Sequence, residues 1–251
     1  DDGLVAGTAM VDHLIQIWAP SISINWHATD GKKVSIGDDI ATIDGDQESI
    51  LKIERSILNI LGQLSGIATE TKKWSSIAVK QIACTRKTTW GLLDKWAVHL
   101  GGGLTHRLNR EDALMIKEND LAAMDGTSTD NNARIAKFIQ DIDLTRLNSF
   151  LEIEVRTEKE AITAAAIWQN THGESGHKPV IMLDNFGPEK SKQVVNQLED
   201  MELRDAVYLE ASGNITHEKL EQWFECGIDV LSTSAINRGV KPLDISMIFG
   251  D

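Results

Sequence analysis

From residue 79 onward, short apolar runs alternate with longer stretches whose apolar residues recur at helical spacing. Six runs have the length and composition of strands: "VKQIACT", "DALMIKEN", "LEIEV", "VIMLDN", "VYLEAS" and "IDVLSTS". Between them, "EKEAITAAAIWQN" and "EKSKQVVNQLED" read as helices. Alternation this regular predicts a parallel sheet, open or closed into a barrel. Upstream, Ile57, Ile60, Leu61 and Leu64 fall at i, i+3, i+4 and i+7 within "ERSILNILGQLSGIATETKKW", which predicts a long amphipathic helix. Residues 1–50 read as short strands and turns. Val34 and Ile36 face Ile40 and Thr42 across Gly37-Asp38 as in a hairpin, and Asp44-Gly45-Asp46 breaks the pattern. The opening "DDGLVAG" is already strand-like, so the beginning of the protein is expected upstream.

The six strands share a property that bears on architecture. Each ends in residues able to do chemistry: Arg86 and Lys87, Lys117, Glu154, Asp184, Glu210 with Ser212, and Ser232 with Ser234. Parallel strands present their carboxyl ends on one side, where α/β-barrel sites form. An open doubly wound sheet would gather its chemistry at a single switch point instead. Contributions from six strands favour a ring.

Composition narrows the ligand. The 251 residues are 41% hydrophobic, enough for a sizeable core, and carry a formal net charge of −13. Such a surface repels nucleic acid and anionic membrane, and no apolar run is long enough to span a bilayer. Cys84 and Cys226 lack metal-ligand spacing, which fits a reducing cytoplasm.

Against that acidic background, "CTRKTTWGLLDKWAVHLGGGLTHR" (84–107) gathers Arg86 and Lys87 at one end and His106 and Arg107 at the other. The flanking apolar residues place the stretch inside the fold, so an anionic guest is expected. Arginine offers a planar fork for carboxylate or phosphate, and lysine a compact charge. Gly101-Gly102-Gly103 lacks dinucleotide-binding spacing and reads as a helix stop that permits positive φ. Glu154 and Asp184 suit sugar hydroxyls or hydrated Mg²⁺. "EASGNIT" supplies Ser212, Gly213 and backbone N–H groups on which a phosphate can rest. Together these describe a sugar-phosphate ligand and a second, carboxylate-bearing one. Glu152 and Glu154 lie on the same side of their strand, and at least one of the two reads as a solvent-facing charge. His172 and His177 read as a solvated loop, and Trp74, Trp168 and Trp223 as helix packing.

"TRKTTWGLLDKWAVHLGGGLTHR", "LMIKEND", "LEIEV", "IMLDN" and "LEASGNI", in that order, resemble the quinolinate phosphoribosyltransferase family, and "ERSILNILGQLSGIAT" resembles its long helix. The resemblance implies an N-terminal α/β sandwich domain (1–78) and an open, unusual six-strand α/β barrel (79–251), with the C-terminal end packing back on the sandwich. It implies phosphoribosyl transfer from 5-phosphoribosyl 1-diphosphate to quinolinate, with release of CO₂ and diphosphate, in a homodimer or larger assembly that shares its active sites. By the same resemblance Arg86, His106 and Arg107 hold the quinolinate carboxylates, and Arg55 reaches the neighbouring subunit's site. Lys87 and Lys117 contact the sugar donor, Glu154 and Asp184 hold ribose hydroxyls and Mg²⁺, and Ser212, Gly213 and Ser234 take the 5-phosphate.

The chain departs from the family pattern at several points. Trp90 stands where proline is common, and two residues, one often arginine, are missing between Gly91 and Trp96. "KEND" alters the neighbours of Lys117, Asn214 replaces a glycine, and Ser234 stands where glycine is usual. Three other readings stay open at this point. They are a nicotinate phosphoribosyltransferase of the same fold, a barrel aldolase forming a Schiff base on Lys87 or Lys117, and a non-catalytic binder of anionic metabolites.

Overall fold

A computed structural model describes residues 1–78, 81–124 and 130–250; Val79 and Lys80 of the first predicted barrel strand lie outside them. The chain forms two compact units, one comprising residues 1–77, 84–105 and 234–251 and the other 78–83 and 106–233.

The first unit begins with β1 (Gly3–Leu4), α1 (Thr8–Trp18), β2 (Ser23–Trp26), β3 (Lys33–Val34), β4 (Ala41–Asp44) and α2 (Gln47–Ile77). The expected long helix is present over 31 residues, with Ile57, Leu61 and Leu64 buried. The expected hairpin across Gly37-Asp38 is not formed. A turn does form there, with the Ser35 N–H donating to Asp38 at 2.8 Å. The strands on either side take other partners: β3 pairs antiparallel with β1, and β4 with β2. Ile36 is consequently left exposed.

Helix α1 is a further difference from the expected strands and turns. Val11, Leu14 and Ile15 have helical spacing, and Val11 and Ile15 pack with Ile53, Ile57 and Leu61 of α2. The start of α1 carries no local capping signal, because its cap comes from Asp30. One Asp30 oxygen accepts the N–H groups of Gly7 and Thr8 and the Thr8 hydroxyl at 2.8–3.0 Å.

The second stretch continues with β5 (Gln81–Cys84), α3 (Leu92–Leu100), β6 (Leu114–Ile116), α4 (Glu118–Met124), α5 (Asn131–Asp141), β7 (Leu151–Val155), α6 (Glu158–His172), β8 (Val180–Asp184), α7 (Gly187–Asp200), β9 (Tyr208–Ser212) and β10 (Val230–Thr233). The triple glycine ends α3 as read. The Gly102 N–H donates to His99 and the Gly103 N–H to Val98, and Gly102 takes φ 83°, a conformation that favours glycine. A Cβ on Gly101 would overlap Thr71 of α2, so that glycine also lets the two helices meet closely. His172, expected in a loop, closes α6 and bonds the Ile139 carbonyl at 2.7 Å. Trp74, Trp168 and Trp223 are buried, as expected.

All six predicted strands form one open sheet in the order β5-β10-β9-β8-β7-β6. The registered pairs from β6 to β10 are parallel. On one face, Ile153, Val155, Ile181, Leu183, Leu209 and Leu231 are almost fully buried. Helix α6 packs against β7 and β8 there. Burying each such side chain contributes about 1.5–3 kcal/mol, which fixes which way the strands face.

Candidate active site

With the apolar residues turned to one face, period-two alternation sends the polar ones to the other. Register aligns Met115 with Glu152 and Val180; Glu154 with Met182, Glu210 and Val230; and Asp184 with Ser212 and Ser232. Glu152, Glu154, Asp184, Glu210, Ser212 and Ser232 therefore share one face of the sheet.

Deep on that face, His106 sits between two acids. Its Nε2 lies 3.0 Å from Glu210 and 3.4 Å from Glu152, and Phe150 meets the ring edge-on. Glu152 has 0% exposure, which excludes the solvent-facing reading for it. Burial pushes its carboxyl well above the usual range, and the Glu210 charge adds to that rise against His106. Burial would lower the His106 pKa, but hydrogen bonds to Glu152 and Glu210 outweigh it and raise the ring to about 10. On its other side the ring accepts the Arg107 N–H at Nδ1, at 2.8 Å. The three groups lie close enough to one another to offer one ligand atom each to a metal, and as the side chains stand they form a hydrogen-bonded cluster. His106 itself has φ 54°, which turns the backbone sharply into Arg107. Arg107 is 4% exposed and donates to the Ala113 carbonyl and the Met115 sulfur.

Nearer the strand ends, Lys117 pairs with Glu154, and Glu118 pairs with Arg156. The Lys117 backbone is held by an Asp120 carboxylate at 3.0 Å. At the ends of β8 and β9, the Asn185 N–H donates to the Ser212 carbonyl at 2.8 Å. Gly213 takes φ 96° hard against Asn185, where a Cβ would overlap the Asn185 side chain. Asn214 adopts φ 53°, which asparagine tolerates, and its side chain donates to Asn185 at 3.3 Å. The Asn214 departure is thus accommodated by a side-chain tie between the two loops.

Arg86, Lys87 and Ser234 belong to the first unit, as does Arg55. Arg86 and Lys87 are exposed, on a loop whose backbone is pinned by two buried polar residues. Asp94 accepts the N–H groups of Thr89 and Trp90 at 2.8 and 3.2 Å. Asn237 donates to the Lys87 carbonyl at 3.0 Å and to Asp94 at 3.1 Å. The Ser234 carbonyl accepts the Arg238 N–H at 2.8 Å. Arg55 is 76% exposed and lies 3.8 Å from the adjacent Glu54. Asp94→Ala would remove the acceptor of one buried and two partly buried donors and is expected to cost about 1–3 kcal/mol, read from the urea midpoint at unchanged slope.

Residue-by-residue reading left out Glu152 as a buried partner of His106, as well as Asp94, Asn237 and Arg156. The signal for Glu152 was available: "LEIEV" alternates strictly, so a strand that buries its leucine face sends both acids to the same side. Asp94 and Asn237 lie 143 positions apart, and no local pattern joins them.

The family description "Quinolinate phosphoribosyl transferase, N-terminal domain" matches residues 1–65, and its C-terminal counterpart matches 67–248. Among curated proteins, the chain is 35% identical to a probable nicotinate-nucleotide pyrophosphorylase (carboxylating) of Methanothermobacter thermautotrophicus, over 98% of this chain and 85% of that one. It is 35% identical to quinolinate phosphoribosyltransferase (decarboxylating) 1 of Nicotiana glauca, over 98% of this chain and 71% of that one. Among solved structures, it is similar to the nicotinate-nucleotide pyrophosphorylase of Francisella tularensis. The TM-score is 0.81 at 31% identity, covering 98% of this chain and 82% of that one.

Proposed function

Because the chain belongs to the quinolinate phosphoribosyltransferase family, we propose that its polar sheet face is the seat of that family's reaction. The protein is a carboxylating nicotinate-nucleotide pyrophosphorylase of NAD biosynthesis. It transfers the phosphoribosyl group of 5-phosphoribosyl 1-diphosphate to quinolinate, releasing diphosphate and CO₂ and giving nicotinate mononucleotide. The observation that carries the site assignment is the register, which sets Glu154, Asp184, Ser212 and the Lys117–Glu154 pair on one face at the strand ends.

In this reading Arg86, His106 and Arg107 hold the two carboxylates of quinolinate, with Arg55 supplied by a second subunit. To take a carboxylate, His106 exchanges one of its present ring contacts for it. Lys87 and Lys117 lie along the sugar donor. Glu154 and Asp184 hold the ribose hydroxyls, and Ser212, Gly213 and Ser234 take the 5-phosphate. Departure of diphosphate leaves a cationic sugar carbon that the pyridine nitrogen attacks. Fixed charges at the leaving group supply most of the acceleration. Once alkylated, the ring nitrogen is positive and withdraws the electrons released with CO₂, so no organic cofactor and no covalent nucleophile is needed.

Two carboxylates on adjacent strands fit a Mg²⁺ ion, which keeps several waters and takes its remaining ligands from substrate phosphates. Glu154 and Asp184 are the residues that would hold it, and it would neutralise the donor's diphosphate charge. A homodimer and a cytoplasmic setting complete the proposal.

The test is formation of nicotinate mononucleotide from the two substrates, followed by absorbance and mass. Nicotinate, which lacks one carboxylate, leaves cations unpaired, so its kcat/KM is expected to be lower by roughly 10⁴-fold. Equal turnover of the two acids would remove the dicarboxylate assignment.

A further inference from the structure

The donor carries its charge at two ends, a 5-phosphate and a diphosphate, and the diphosphate end calls for exposed cations near the strand ends. Within the sheet unit, Arg107 is spent inward on Ala113 and Met115. Arg156 is different. It follows β7 directly, two positions beyond Glu154, and its side chain is 54% exposed.

Three features suit it to an anion. Its backbone is anchored: its N–H donates to Glu160 at 2.7 Å, and Thr157 and Glu160 close a capping box at the start of the 15-residue helix α6. Its guanidinium is held by Glu118, whose own side chain is 43% exposed, and an exposed pair of this kind contributes only about 0–1 kcal/mol. A multiply charged ligand can displace such a partner. Finally, the pair interlocks with the one expected to act on the donor. Neighbouring residues Lys117 and Glu118 bind the alternate residues Glu154 and Arg156. A group bound by Lys117 is thereby within one side chain's reach of Arg156.

We propose that Arg156 contacts the diphosphate end of the sugar donor, giving up Glu118 to do so. The inference rests on the functional reading above and names a residue that neither the sequence motifs nor the family resemblance assigns. Glu118 then acts as a placeholder that holds the guanidinium until the donor arrives.

The experiment compares Arg156→Ala, Arg156→Lys and Glu118→Gln with the wild-type enzyme. Arg156→Ala is expected to raise the KM for 5-phosphoribosyl 1-diphosphate about 10- to 50-fold, as loss of a charged hydrogen-bond donor does. It should weaken inhibition by diphosphate to a similar degree and leave the KM for quinolinate and the melting temperature unchanged. Arg156→Lys keeps the charge without the fork and should fall between. Glu118→Gln frees the arginine and should hold the donor KM at or below the wild-type value. An unchanged donor KM in Arg156→Ala overturns the proposal. So does an equal loss in Glu118→Gln, which would make the ion pair itself the important element. Calorimetric binding of diphosphate to wild type and Arg156→Ala is run alongside. If the wild-type protein failed to turn over the substrates, the functional reading would fall, while a binding difference between the two proteins would still uphold the arginine.

Discussion

Lys117→Ala is expected to lower kcat by about 10²-fold or more while the protein stays folded. The lysine begins the loop after β6, with its backbone N–H held by Asp120 and its carbonyl accepting the Leu121 N–H that opens α4. Those backbone contacts do not depend on the side chain and survive the substitution. The Lys117 side chain is 42% exposed and the Glu154 side chain it pairs with only 8%, so removal leaves a mostly enclosed carboxylate without its partner. A drop of about 1 kcal/mol in stability follows, small beside the catalytic loss. The larger effect comes from charge. When diphosphate departs, negative charge grows on its oxygens, and a preorganised cation at that point contributes several kcal/mol to the transition state. Single-turnover formation of nicotinate mononucleotide separates this loss from slow product release. A near-wild-type rate would mean that Lys117 serves only its pair with Glu154.

The difference between what the chain announced and what it concealed follows the range of the interactions involved. The barrel strands were legible because each is a short apolar run bounded by helical spacing, and their terminal residues could be named before any geometry. Their alternation even settled the facing, once one side of "LEIEV" is required to be buried. The N-terminal segment was not legible for a specific reason. Val34 and Thr42 looked like two arms of one hairpin, yet their strands pair with β1 and β2. Helix α1 is capped by Asp30, so the local string carries neither a cap nor a box. The site shows the same division. Lys117, Glu154, Asp184 and Ser212 were named as strand-end residues, and they stand at or just beyond the ends of β6, β7, β8 and β9. The facing of Glu152 could be read from its strand, but its pairing with His106, like the Asp94–Asn237 tie under the Lys87 loop, joins distant segments and became visible only with the fold.

The remaining prediction concerns Arg55, and it tests the proposal that sites are shared between subunits. This arginine projects from α2 in the first unit with 76% of its side chain exposed, and its ion-pair neighbour is the adjacent Glu54 at 3.8 Å. A pair between adjacent helical residues at that distance and exposure holds a guanidinium weakly, so the side chain is free to serve another surface. In a two-fold dimer each contact occurs twice, and an arginine given to the partner's site is matched by one received. Arg55→Ala and Lys117→Ala should therefore each be nearly inactive alone. In a mixed dimer of the two variants, one site receives both lesions and the other receives neither. Random co-assembly from equal amounts makes about half the dimers mixed, so about a quarter of all sites should regain wild-type turnover. If Arg55 instead served its own subunit, every site of the mixed dimer would carry one lesion and no activity would return. Co-expression with two distinguishable tags, tandem purification of the mixed species and a turnover assay give the answer directly. Recovery near half of wild-type activity per purified mixed dimer is the expected result, and its absence assigns Arg55 to its own chain; an Arg55→Ala protein that turns over normally by itself would mean that Arg55 serves no site.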